Sequence, residues 1–191
     1  MNKKIFLTFL IAPFLLAACT QPLEGEYEPY TVGNGPVLIE EFADFECPAC
    51  GSISPVLKAY VEENPEVATL EYNHFPLNQH PNALPAAVAA ECGGEQDRFW
   101  EVEKRLFENQ DRLGEGLYLE IAQELELNQT KFEACLNDES VKTKILLSRQ
   151  EGMQRGVDAT PTLFVSTEGE EPEKVQFSGE FFEFIEQKAG K

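Results

Sequence analysis

Basic residues are scarce in this chain of 191: 15 Lys and Arg stand against 34 Asp and Glu, a formal charge of −19. A surface of that sign repels phosphate backbones, which excludes a nucleic-acid-binding role. Histidine is scarcer still, with only His74 and His80. The spacing Cys-x-x-C occurs once. A structural zinc site draws four ligands, usually from Cys and His, so metal binding is the weaker reading and no metal or other cofactor is expected. Only the N-terminus carries a long apolar run. Internal repeats and low-complexity segments are missing, and the length suits one domain and is marginal for two.

The apolar run is Ile5 to Ala18, preceded by Asn2-Lys3-Lys4 and interrupted by Pro13. It is too short to span a bilayer and has the layout of a secretory signal. It ends in Leu16-Ala17-Ala18-Cys19, which resembles the lipobox of bacterial lipoproteins. That resemblance implies a signal peptide over 1–18, a lipidated Cys19, and an extracytoplasmic protein held to a bacterial membrane, in the periplasm or at the cell surface, by acyl chains. The other reading is ordinary signal cleavage next to an incidental Cys. Loss of Lys3 and Lys4 with the signal takes the charge from −19 to −21.

The five cysteines are 19, 47, 50, 92 and 135. With Cys19 lipidated, an even number remains in a disulfide-permissive setting. Cys47 and Cys50 pair by spacing. Cys92 and Cys135 are left to form a structural disulfide closing a loop of about 44 residues; two buried free thiols are the alternative.

Residues 19–35, rich in Glu, Pro and Gly, read as a tether. Val37 to Ala43 reads as a central strand. From Pro48 to Glu63, Ile53, Val56, Leu57, Tyr60 and Val61 recur at helical spacing, and Asn64-Pro65 ends the helix. Val67 to Phe75 alternates as a second strand. Helical patterns then fill the chain to Arg155, with Pro85 expected to delay the start of the first of them. Phe99, Trp100 and Phe107 mark a helical core face. Strand character returns at Thr162 to Val165, with a turn near Thr167 to Glu170, a return strand over Val175 to Phe177 and a closing helix over Phe181 to Lys188. The order β-α-β, helical block, β-β-α predicts one α/β sheet, built from 36–78 and 157–191, with an all-helical insertion over 79–156.

Cys47-Pro48-Ala49-Cys50 is best read as a redox pair. Pro48 is suited to the first helical position, where its missing N–H has no partner to lose. Free N–H groups and the partial positive charge of the helix N-terminus favour a thiolate at Cys47. Cys50, one turn on, faces Cys47 and is placed to resolve a mixed disulfide. Ala49 and Pro48 add no charge.

With Gly156-Val157-Asp158-Ala159-Thr160-Pro161-Thr162 added to Glu40 through Cys50, Phe75-Pro76-Leu77, His80-Pro81 and the Glu95 to Trp100 stretch, residues 36–189 resemble the DsbA-like oxidoreductases of the thioredoxin superfamily. The resemblance implies a thioredoxin fold with an inserted helical domain, and a catalytic set of Cys47, Cys50, Pro161, Thr160 and Glu41. Pro161 stands at the family's cis-proline, against the Cys pair, with the Thr160 backbone free to bond an extended substrate. Glu41, six residues before Cys47, stands at the buried acid beneath the dithiol and is expected to relay a proton to Cys50; alternation places one of Glu40 and Glu41 on each face. His74 and His80 read as packing or capping residues. Ala49 departs from the His of the most oxidising members.

The function expected is oxidation: an exported monomer donates its disulfide to reduced secreted proteins and is reoxidised by a quinone-linked membrane partner, DsbB-like or VKOR-like. A reductase or isomerase on the same fold is the alternative, although no dimerisation segment precedes residue 36. A thiol-based copper chaperone is a third reading; similar chaperones use a wider Cys spacing and a distant His not evident here.

Overall fold

The computed structural model describes residues 23–191, so the expected signal peptide over 1–18 and the expected lipidation site Cys19 lie outside the described residues. Five strands form one sheet: β1 (Tyr30–Gly33), β2 (Val37–Ala43), β3 (Ala68–His74), β4 (Thr162–Thr167) and β5 (Glu173–Val175), in the spatial order β1-β3-β2-β4-β5. The β2–β3 pair is parallel and the others antiparallel. Helix α1 (Pro48–Glu63) makes the β2–β3 crossover. Five helices then run without a strand: α2 (Ala83–Gly94), α3 (Phe99–Glu108), α4 (Glu115–Glu124), α5 (Gln129–Leu136) and α6 (Glu139–Gln154). Helix α7 (Phe181–Lys188) closes the fold. This is the α/β sheet with a helical insertion that the sequence predicts.

Strand β2 is buried on both faces, as a central strand flanked by helices should be. Val37 and Ile39 meet Leu57 and Val61 of α1 and Ile185 of α7. On the opposite face Phe42 joins Phe75, Val157 and Phe164. There α6 comes so close that a Cβ on Gly152 would sit 2.8 Å from Phe75 and 2.9 Å from Phe42. Just past the end of α6 stands Gly156, whose φ of +78° suits the left-handed position after a helix. The insertion and the Tyr72 face share a third cluster, which includes Phe45, Phe99 and Phe107. Cys92 of α2 and Cys135 of α5 are bonded, with Cα atoms 5.6 Å apart.

Three local expectations change. The tether does not run to residue 35, because β1 pairs with β3 and the chain from Leu23 already lies on the domain. Leu23 and the Gln150 side chain of α6 exchange two hydrogen bonds, the Tyr27 hydroxyl donates to the Tyr72 carbonyl, and Tyr30 stacks on Phe99 at 3.6 Å between centroids. Burial of these two tyrosines outweighs the polarity of their neighbours. Helix α2 starts at Ala83, ahead of Pro85, because the third helical position has no intrahelical N–H partner for a proline to remove. The return strand is Glu173–Val175, because Val175 pairs with Leu163 while Phe177 turns to pack on Phe181 and Phe182.

Candidate active site

The turn after β2 carries the cysteine pair. Asp44, buried at 2% exposure, fixes it through three contacts: Glu46 N–H donates to Oδ1 (2.7 Å), Leu77 N–H to Oδ2 (2.9 Å), and His80 Nδ1 lies 2.8 Å from Oδ2. Cys47 is the N-cap of α1 and Pro48 its first residue, as the sequence predicts. Cys47 is 7% exposed and Cys50 fully buried, and both are free thiols. From the insertion, Gln110 reaches across and its Nε2 donates to the carbonyls of Phe45 and Cys47, both at 2.8 Å. Gly51 leaves the room this side chain needs.

The Thr160–Pro161 bond is cis, and the Cys47 thiol donates to the Thr160 carbonyl at 3.3 Å. Segments more than a hundred residues apart therefore meet at one sulfur. The Cys47 thiol is pulled down to about 5, first by the Cys50 thiol as donor, with Thr160 and the backbone N–H groups of Cys50 and Ala49 outweighing burial. The buried Thr160 hydroxyl has no other partner and is free to donate to the thiolate. Cys50 moves the opposite way: donation to Cys47, burial and the charge of Glu41 push its thiol well above the ordinary range.

Alternation resolves the two glutamates. Glu40 points to the α6 face and binds Arg155 through both carboxylate oxygens (2.6 and 2.8 Å). Glu41 points to the α1 face, fully buried, and its Oε1 accepts from Ser54 Oγ at 2.6 Å. Burial pushes Glu41 up to about 7 against the opposing Ser54 bond. Ser54 is one helical turn beyond Cys50, so the carboxyl sits below the dithiol. His74, buried, belongs to a separate network: Glu91 meets His74 Nε2 (3.1 Å), Lys144 Nζ (2.6 Å) and the Tyr30 hydroxyl (2.9 Å). Burial works to raise the Glu91 carboxyl, but His74 and Lys144 hold it below the ordinary range. Both histidines thus serve as structural partners of buried acids.

A groove of about 510 Å³ runs beside Pro161, with Ile53, Ala159, Leu163 and Phe177 in its walls. Sequence reasoning missed Gln110, Ser54 and Asp44. Only Asp44 carried a signal, as an acid at the end of a buried strand.

Comparison with known proteins agrees with this geometry. The family model described as "Thioredoxin" matches residues 30–186. Among solved structures, α-DsbA1 of Wolbachia pipientis superposes with a TM-score of 0.74 at 23% identity, covering 88% of this chain and 94% of that one. DsbA2 of Pseudomonas aeruginosa gives 0.67 at 28% identity, covering 80% and 88%. A curated relative, Na(+)/H(+) antiporter NhaA 3 of Salinispora tropica, is 36% identical over 134 residues, 70% of this chain but 20% of the antiporter. The chain thus spans about a fifth of the length of the first curated relatives it matches. By its family match, its sheet with a helical insertion and its paired cysteines at the N-terminus of α1, the chain belongs to the thioredoxin family and has a fold like that of the DsbA proteins.

Proposed function

We propose that the chain is an exported oxidase that introduces disulfides into secreted proteins, with Cys47 exchanging and Cys50 resolving. The observation that carries this reading is the asymmetry of the pair: Cys47 is pulled down to about 5 while Cys50 is pushed up. A stabilised thiolate favours the reduced form and so makes the disulfide form oxidising. Each tenfold gain in acidity corresponds to about 1.4 kcal/mol.

A substrate thiolate attacks Cys47 Sγ, the Cys47–Cys50 bond breaks, and Cys50 leaves as a thiolate that takes a proton from Glu41. A second substrate thiolate then attacks the substrate sulfur of the mixed disulfide and releases Cys47 as its stable thiolate. The substrate loses two electrons and the enzyme pair gains them. The groove beside Pro161 receives the extended substrate strand, which bonds the Thr160 backbone. A quinone-linked membrane partner takes the electrons back. Cys19, outside the described residues, carries the lipid that keeps the enzyme at the membrane where reduced chains emerge.

Titration of the Cys47–Cys50 pair against glutathione tests the direction. The expected potential lies toward the oxidising end of the family, about −120 mV, and a value near thioredoxin's, about −270 mV, favours the reductase instead. In the reduced protein, alkylation of Cys47 should reach half its maximal rate near pH 5; a midpoint near 8 removes the basis of the proposal.

A further inference from the structure

Besides the Thr160 hydroxyl, three buried polar atoms on the α1 side of the sheet have no hydrogen-bond partner: Glu41 Oε2, Tyr72 Oη and Glu103 Oε1. Their residues are 0, 0 and 1% exposed. Backbone geometry brings them together. Glu41 and Tyr72 are register partners on β2 and β3, so their side chains stand on one face of the sheet. Glu103 lies four residues from both Phe99 and Phe107 and shares their face of α3. Those two rings sit 5.4 and 6.5 Å from the Tyr72 ring, so the face of α3 that carries Glu103 packs toward Tyr72. From α1, Cys50, Ser54 and Lys58 follow at four-residue steps. Ser54 bonds Glu41, and Lys58 lies 5.5 Å from the centre of the Trp100 ring while pairing with Glu62 near the surface. A carboxyl oxygen buried without a donor is costly, so two of them within one buried region call for a role beyond the core.

We propose that Glu103 is the second carboxyl of a proton relay, a positioning residue that resupplies Glu41 and connects it to solvent beside Lys58. The relay rests on thiol exchange at Cys47–Cys50. When Cys50 leaves as a thiolate, Glu41 gives it a proton and becomes a carboxylate. Glu103 then reprotonates Glu41 and is itself reprotonated from water. Reoxidation runs the same path in reverse. Burial pushes Glu103 up to about 8; the charges of Glu41, Glu62 and Glu108 act the same way, while Lys58 opposes them. Glu41 at about 7 is close enough for transfer in either direction. Tyr72, raised by burial and by both carboxyls, stays neutral.

Infrared difference spectra of the full-length protein, reduced minus oxidised, test this without a variant. Two protonated carboxyl bands are expected to respond to reduction at neutral pH; a response from only one overturns the relay. In Glu103→Gln, one band should vanish, exchange at pH 7 should slow by up to about tenfold, and the rate profile should lose its upper inflection. A profile that superposes on that of the unaltered protein overturns the relay while leaving thiol exchange intact. Absence of exchange in the unaltered protein sinks the function above and the relay with it.

Discussion

Replacing Glu41 with Gln should make the reduced protein more stable and a poorer enzyme. The Ser54 hydroxyl can donate to the amide oxygen as it does to Oε1, and the amide nitrogen takes the place of Oε2, which already has no partner. What changes is the proton. Below pH 4.5 the carboxyl is protonated in both folded and unfolded chains. Between 4.5 and about 7 the unfolded chain releases its proton while the folded chain keeps it, so folded stability falls as pH rises. Above 7 the loss is complete and amounts to about 3 kcal/mol. Glu41→Gln escapes it. Urea unfolding of both proteins under reducing conditions should give equal stabilities near pH 4, with the variant ahead by about 3 kcal/mol at pH 8. A stability difference that does not change with pH refutes the reasoning, because it means that the carboxyl titrates normally in the folded chain. Slower exchange in the same variant is the trade between stability and activity expected of a buried working group.

Two further outcomes can be checked by urea unfolding, the first of them without reductant so that the Cys92–Cys135 bond stays intact. The double substitution Cys92→Ala and Cys135→Ala opens a loop with a sequence separation of 43 and should cost about 4 kcal/mol while leaving exchange at Cys47 intact; a loss under about 1 kcal/mol means the insertion is held by its core alone. Gln110→Leu removes the donor to the Phe45 and Cys47 carbonyls and should cost about 1–3 kcal/mol. It should also raise the midpoint of Cys47 alkylation, since the N-terminal turn of α1 loses its brace; an unmoved midpoint reduces Gln110 to a purely structural role.

What the sequence made legible was local or periodic. Pro48 after Cys47 marks a helix start through one residue's missing N–H, and it does so wherever the chain lies in space. The pairing of Cys92 with Cys135 followed from counting. The choice between Glu40 and Glu41 needed the resemblance, since alternation assigns one to each face without saying which. Gln110 was out of reach because its partners are backbone carbonyls some sixty residues away, and no side-chain pattern announces them. Glu103 was within reach: an acid between Phe99, Val102, Leu106 and Phe107 breaks the apolar stripe of its helix. Strand β1 was hidden because four residues, Tyr30-Thr31-Val32-Gly33, are too few to show a period among Glu, Pro and Gly.

The docking of Leu23 onto α6 sets a length scale for the whole molecule. With Cys19 lipidated as proposed, only four residue steps separate the lipid from the first moored residue, and they reach at most about 14 Å. Helix α6 covers the sheet face opposite the one that carries Glu41 and α1. The domain would then ride against the bilayer like a boat on a short painter, with the part of α6 that holds Leu23 inboard.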